Sequence, residues 1–244
     1  MTMGRSVVAA AVLVLSAVGC SVAQDDLDAI TELAGVVDAD ARCVEGDCTV
    51  QVEIEPDISV DRFVTIVESA RDTEKADDVL LWFAGDGPEN HTFKFAVDRE
   101  FDTDRAADAF VAGRDSAGMV HLAVDLGGSS PAWVETFEVD PAEILQLAAD
   151  RWEQVHDVLP GSTFSFGAND LVRIRTAGSF PQQAAAAVQQ LLDGPAGADV
   201  SGVSIEQDRV RITVSSESTE RVERFLADLP EADGLDIGVT ASQG

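Results

Sequence analysis

Residues 47–54 and 59–67, DCTVQVEI and SVDRFVTIV, contain the pattern from which the fold follows. In the first segment Val50, Val52 and Ile54 alternate with polar residues, which is typical of a strand with one buried face. In the second segment a leading serine precedes apolar residues spaced three or four apart, as at the start of an amphipathic helix. The two segments together predict a strand followed by a helix that packs on it.

The same order of turn, strand, helix and strand recurs along the rest of the chain, which predicts five βαβ units joined by short hairpins. A helix at 25–33 and a strand at 36–42 precede the first unit. The strands predicted to follow each helix are Val79–Phe83, Met119–Val124, Thr163–Phe166, Val200–Ile205 and Leu235–Val239.

The repetition is compatible with a solenoid, but paired βαβ units joined by a hairpin also match the ferredoxin-like βαββαβ arrangement, which closes a core by itself. We therefore predict an α+β fold of tandem ferredoxin-like units, with antiparallel sheets covered by helices on one face. The predicted units are an αββαβ unit at 25–84 and two ferredoxin-like units at 91–166 and 170–241. The first unit resembles a BON domain in its element order and its Gly46-Asp47 hairpin, at the level of fold alone.

The amino terminus has the features of an export signal. Arg5 precedes an apolar run from Val7 to Val18, which is too short to span the ~30 Å of a bilayer core as a helix but suits a signal peptide. Ala17-Val18-Gly19-Cys20 resembles the lipobox of bacterial, actinobacterial-type lipoprotein precursors, with Ala17 where that family usually has Leu. The resemblance implies removal of residues 1–19, a diacylglyceryl group on Cys20, and a lipidated tether at 20–24 on the cell membrane.

An alternative is an ordinary secretory signal cleaved after Ser21-Val22-Ala23, which would discard Cys20 and release a secreted protein. Both alternatives predict an extracytoplasmic location. In an oxidising compartment Cys43 and Cys48, on either side of a four-residue hairpin loop that includes Gly46 and Asp47, are expected to form a structural disulfide.

The charge of the chain narrows its possible partners. There are 45 acidic side chains against 16 Lys and Arg, a formal net charge of −29. A field of this sign repels nucleic acid and anionic membrane surfaces, so we predict no nucleic-acid partner. The absence of Tyr and the scarcity of Lys suggest a GC-rich genome such as that of an actinobacterium.

No motif predicts catalysis. The chain contains no Gly-x-Ser-x-Gly nucleophile elbow, and its histidines, His91, His121 and His156, fall on different predicted elements without metal-ligand spacing. Asp102-Thr103-Asp104 begins like a calcium loop but lacks the required Gly and Glu. We predict no catalytic residues, no cofactor and no metal site, and therefore no enzyme.

One basic cluster stands out from the acidic background. In the last unit apolar residues alternate with arginines, so the arginines must point away from the core. The four residues are Arg173, Arg175, Arg209 and Arg211. If the first and third strands of a ferredoxin-like unit are adjacent, these side chains converge on the open face of the sheet. They either pair with Asp and Glu from a neighbouring unit of the same chain or form a docking patch for an acidic ligand or protein.

These observations favour a membrane-anchored extracytoplasmic lipoprotein that acts as a non-catalytic binding or assembly module and has an envelope protein as partner. The alternatives are a ligand-binding lipoprotein of a transporter or sensor, and a carboxylate-dependent extracytoplasmic hydrolase. The transporter alternative requires a well-formed pocket between units, and the hydrolase requires a cleft that holds carboxylates.

Overall fold

The fold is taken from a computed structural model. It describes residues 22–85, 91–97, 102–114, 119–127, 131–168 and 171–242. The α-helices are α1 (Gln24–Thr31), α2 (Val60–Arg71), α3 (Thr103–Arg114), α4 (Glu143–Val155), α5 (Gln182–Asp193) and α6 (Thr219–Ala227). The strands are β1 (Val36–Val44), β2 (Asp47–Ile54), β3 (Asp78–Phe83), β4 (His91–Ala96), β5 (Met119–Asp125), β6 (Ala132–Phe137), β7 (Thr163–Ala168), β8 (Val172–Thr176), β9 (Val200–Glu206), β10 (Arg209–Val214) and β11 (Asp236–Ala241).

All eleven of these strands form a single mixed sheet in the order in which they occur along the chain. Antiparallel hairpins alternate with parallel pairs, and each parallel pair is joined by one helix, from β2–β3 through α2 to β10–β11 through α6. The five predicted βαβ units and the mixed α+β character are therefore present.

The predicted ferredoxin-like arrangement of strands is wrong for the last unit. There β8 and β10 were expected to be adjacent, but β9 lies between them and pairs with both. The separate antiparallel sheets are also replaced by one continuous sheet, since β3 pairs with β4 and β7 with β8 across the predicted unit boundaries. The physical reason is that each strand pairs with the next along the chain, so that no strand is inserted between the two strands of a βαβ unit.

The helices pack on one face of the sheet. Helix α2 contacts α3, and α4 contacts α5, while the buried apolar side chains form one continuous core. Ser59 begins α2 by accepting a hydrogen bond from the backbone N–H of Arg62 at 3.4 Å. The opposite face carries no helix among the described residues and is called the open face below.

This arrangement has a topological consequence for the crossovers. The chain advances in one lateral direction while the strand direction reverses at every hairpin, so consecutive crossovers with helices on one face have opposite hands. Right-handed crossovers are strongly preferred in proteins. If all five crossovers were right-handed, successive helices would lie on opposite faces of the sheet and α2 could not contact α3. Instead the Phe63 ring of α2 stacks on the Phe110 ring of α3 with centroids 4.1 Å apart, so crossovers of both hands occur in this sheet.

The first hairpin is tighter than the sequence suggested. Strands β1 and β2 continue to Val44 and Asp47, so that Glu45 and Gly46 alone form the turn, both with positive φ. Such a two-residue turn matches the twist of the strands that it joins. It places Cys43 opposite Cys48, with Cα atoms 4.0 Å apart, and the structure joins the two residues by a disulfide.

Within the described residues, no helix is both long enough and apolar enough to cross a membrane. Cys20 and the rest of the predicted leader lie outside the described residues.

Candidate functional site

The open face of strands β6–β10 forms a groove of about 850 Å³. Its lining combines small and hydroxyl-bearing residues with apolar ones such as Val134 and Leu171, and its cations come from β8 and β10. Its lining includes Thr136, Ser165, Gly167, Arg173, Ser204 and Arg211. The groove therefore presents guanidinium groups beside hydroxyl groups and apolar side chains, and its lining includes no aromatic side chain.

Strand register places the four predicted arginines on this face in two rows. Val172, Ile174, Val210 and Ile212 are at most 1% exposed, so the arginines between them point away from the helices. One row runs Arg175, Glu206, Arg209 and Asp236 across β8 to β11, with alternating charge. The other row runs Arg173, Ser204, Arg211 and Gly238, with no carboxylate.

Three of the four arginines make ion pairs. Both Arg209 Nε and Arg211 Nη2 lie close to Asp236 Oδ2, at 3.2 and 3.0 Å. These hydrogen bonds, first from Arg211 and then from Arg209, lower the pKa of Asp236. Arg175 Nη1 is 4.0 Å from Glu206 Oε1. Internal pairing is therefore present for Arg175, Arg209 and Arg211, but its carboxylates belong to the same predicted unit, 170–241, and not to a neighbouring one.

Arg173 differs from the other three. It is exposed, and among the residues that the structure describes no carboxylate forms an ion pair with it. Its neighbours in the row are Gly167 on β7 and Ser204 on β9, which leave space above the sheet. The groove thus holds three guanidiniums, those of Arg173, Arg175 and Arg211. Among the described residues only the last two form ion pairs, with Glu206 and Asp236, which leaves a local positive excess in a strongly negative chain.

Such an arrangement suits an anionic ligand. A guanidinium presents planar pairs of N–H donors that match carboxylate and phosphate oxygens. Hydroxyls and glycines in the groove lining allow a ligand backbone to approach closely. The missing aromatic side chains remove the stacking platforms that single-stranded nucleic acids use.

Sequence reasoning missed a buried charged network below this face. Glu135 on β6 and Arg151 on α4 are 1% and 5% exposed and form an ion pair. Arg151 Nε donates to both Glu135 carboxylate oxygens, at 3.2 and 3.0 Å. The remaining donors are used as well, because Arg151 also bonds to Gln154 Oε1 and to the carbonyl of Ala112, at 2.7 and 2.9 Å.

Trp133 completes this network by donating its Nε1–H to Glu135 Oε1 at 2.8 Å. The signal for the network was present in the sequence. Glu135 falls between Trp133 and Phe137 in the period-two pattern of a buried face, and Arg151 falls in the apolar stripe of α4 between Ala148 and Val155. A charged residue in phase with apolar ones predicts a buried pair.

The other residues considered in the sequence do not converge on a site. His91 and His121 lie on β4 and β5, and His156 follows α4. Across the described ranges, no group of three or more His, Cys, Asp or Glu side chains is arranged to hold a metal ion. Within those ranges Glu135 is the one carboxylate that is buried, and it is engaged by Arg151.

Comparison with known proteins supplies no further assignment. No protein-family model matches this chain, and no curated protein matches it at a significant level.

Proposed function

We propose that this chain is a lipid-anchored extracytoplasmic module that binds an acidic partner of the cell envelope on its open face and has no catalytic role. The observation that carries the proposal is Arg173, a cation without a carboxylate partner among the described residues, set in a groove that has a positive excess. The anchor rests on the Ala17-Val18-Gly19-Cys20 resemblance. Two acyl chains provide the second signal that stable membrane attachment needs.

The net charge of −29 supports a specific rather than a general interaction with acidic partners. At physiological ionic strength exposed charges interact over about 8 Å, the Debye length. An acidic partner is therefore repelled by most of the surface and attracted only where arginines outnumber carboxylates. A charge distribution of this kind affects the orientation and the association rate of the partner more than the affinity of the complex.

Binding of poly-L-glutamate tests the docking surface. The mature chain in neutral detergent micelles is titrated with the polymer by isothermal calorimetry at low and at high salt. Arg173→Glu is expected to weaken binding about tenfold, equivalent to ~1.4 kcal/mol. The matched control is Arg62→Glu on α2, an exposed arginine of the helix layer, which changes the net charge equally and should have little effect. Equal losses in both variants would contradict the proposal.

Mass spectrometry of the mature amino terminus tests the anchor. A chain that begins at Cys20 with a diacylglyceryl mass supports it. A free amino terminus at Gln24 would refute the anchor and indicate a secreted protein.

A ligand-binding lipoprotein of a transporter or sensor is the second candidate. The groove volume of about 850 Å³ lies within the range of small-molecule sites, roughly 300–1,000 Å³. The same titration with citrate distinguishes the two candidates. Saturable one-to-one binding of citrate, lost in Arg173→Glu, would favour the small ligand, whereas binding of the polymer alone favours an acidic protein partner.

A further inference from the structure

The two edge strands of the sheet, β1 and β11, differ in whether their outward backbone N–H groups are hydrogen-bonded. In β1, hairpin register directs the N–H groups of Ala39 and Ala41 away from β2. The preceding aspartates occupy both groups, since Asp38 Oδ1 accepts from Ala39 N at 2.9 Å and Asp40 Oδ1 accepts from Ala41 N at 2.7 Å. Edge donors that are already bonded, and flanked by charge, resist pairing with another strand.

At the opposite edge, β11, no aspartate among the described residues accepts a hydrogen bond from an outward backbone N–H. Asp236 N donates to Asp208 O at 3.0 Å and Ser242 N to Val214 O at 2.7 Å, which directs every second N–H of β11 towards β10. The N–H groups of Ile237, Val239 and Ala241 therefore point outward. Among the described residues no side chain or backbone carbonyl accepts from them.

The two faces beside this edge differ in chemistry. On the open face the Arg211 side chain lies across β11, because a Cβ built on Gly238 would be 3.1 Å from Arg211 Cδ and 3.3 Å from Nη1. On the helix face Ile237 and Val239 are half-buried against the core. A strand added outside β11 would meet the Arg211 guanidinium, whose Nη2 is also 3.0 Å from Asp236 Oδ2, on one face and apolar side chains on the other.

We propose that β11 is a strand-addition site for an extended peptide that alternates acidic and apolar residues. Its backbone would pair with the outward N–H and C=O groups of Ile237, Val239 and Ala241. Its acidic side chains would face Arg211, and its apolar side chains would extend the core beside Val239. Main-chain bonds supply affinity in this mode of recognition and the alternating side chains supply specificity. The inference rests on the proposed function, since it gives the acidic partner a binding mode.

Amide hydrogen exchange measured by NMR tests the inference. The probe is the peptide acetyl-Glu-Val-Glu-Val-Glu-Val-Glu-amide, added to the mature chain in micelles. At saturation the amides of Ile237, Val239 and Ala241 should exchange at least about tenfold more slowly, whereas those of Gly238 and Thr240, already bonded to β10, should change little. An alternating pattern of protection is the signature of an added strand.

Two variants at one position provide the control. Val239→Pro removes the central outward N–H on an edge where proline is tolerated. In this variant the peptide should no longer slow the exchange of the Ile237 and Ala241 amides. Val239→Thr keeps that N–H and the β-branched shape, and protection should persist. If both variants retain protection, or if β11 amides are unchanged by the peptide, strand addition is overturned.

The remaining outcomes separate this inference from the proposed function. Poly-L-glutamate binding that depends on Arg173 without protection along β11 would refute strand addition and leave the docking surface intact. Failure of both ligands to bind would refute both. Concentration-dependent protection of β11 without peptide would refute a peptide occupant and identify a second copy of the chain at this edge.

Discussion

The Glu135–Arg151 pair provides the sharpest test of how the helix layer is held on the sheet. Glu135→Gln removes the negative charge but keeps the shape and one acceptor oxygen for Trp133. Arg151 then remains positive at 5% exposure without its counter-ion. Breaking a buried pair by removing one partner typically costs about 3–5 kcal/mol, because the remaining charge is desolvated and uncompensated.

This cost should be visible in equilibrium unfolding. We expect the urea midpoint to fall in proportion to the lost free energy of unfolding. The melting temperature should fall by about 6–20 °C, at ~2–4 °C per kcal/mol for a chain of this size. Tryptophan fluorescence reports the loss of tertiary structure, and it combines the signals of Trp82, Trp152 and the buried Trp133, which donates to Glu135 at 2.8 Å. The melt should be followed both by fluorescence and by circular dichroism.

A surface pair serves as the control. Lys94 Nζ lies 2.8 Å from Asp78 Oδ2, but the two side chains are 42% and 29% exposed. Water and salt screen such a pair, so Asp78→Asn should cost less than about 1 kcal/mol. The hydrogen bond that Lys94 donates to Asp78 is also the main cause that raises the pKa of Lys94, and this upward shift should become smaller in the variant, in which Asp125 still raises the pKa.

The double variant Glu135→Leu with Arg151→Met tests the reason for the loss. Replacing both charges by apolar groups is often neutral or stabilising by about 1–4 kcal/mol, although here Trp133 Nε1 would lose its acceptor, at about 1–3 kcal/mol. The double variant should therefore be more stable than Glu135→Gln. If Glu135→Gln costs no more than the surface control, the network does not stabilise the fold and the reasoning fails.

Three further predictions concern other parts of the molecule. Phe63→Ala removes a fully buried ring stacked on Phe110 and should cost about 3–5 kcal/mol in urea unfolding; a cost below about 1 kcal/mol would contradict the packing of α2 on α3. Arg211→Gln removes the main cause of the lowered pKa of Asp236, so the titration midpoint of that carboxyl, measured by NMR, should rise; an unchanged midpoint would contradict the pairing. Because the pKa of Asp236 is lowered in the folded protein, its pairing stabilises the fold at pH above the pKa of the unfolded chain. This stabilisation is lost as the pH falls through the pKa of the folded protein. Ser59→Ala removes the cap of α2 and should cost about 1 kcal/mol, measured in the same unfolding assay against Ser59→Gly, which should cost only a few tenths.

The local elements could be read from the sequence because their causes are local. Period-two alternation at Val50, Val52 and Ile54 and the serine cap of α2 depend on residues a few positions apart. The disulfide between Cys43 and Cys48 follows from a hairpin of the same range. The direction of each arginine on β8 and β10 was equally predictable, because alternation allows only one face once the apolar residues are buried.

Strand order could not be read in the same way. The same alternation is satisfied whether β9 lies between β8 and β10 or beside them. The periodicity therefore does not specify which strands are neighbours in the sheet. The tertiary structure decided that β9 separates the two arginine-bearing strands. This separation allows Glu206 to lie between Arg175 and Arg209 and leaves Arg173 beside Ser204.

What the sequence determined by itself is the set of strands, helices and buried faces, with the serine that begins α2; the leader and its resemblance to a lipobox stay a prediction. What only the tertiary structure decided is which distant residues meet: Glu135 with Arg151, Asp236 with Arg209 and Arg211, and the bare edge of β11. The physical reason is that propensity and periodicity act over a few residues. Pairing of charges and strands depends on how the whole sheet distributes its hydrogen bonds.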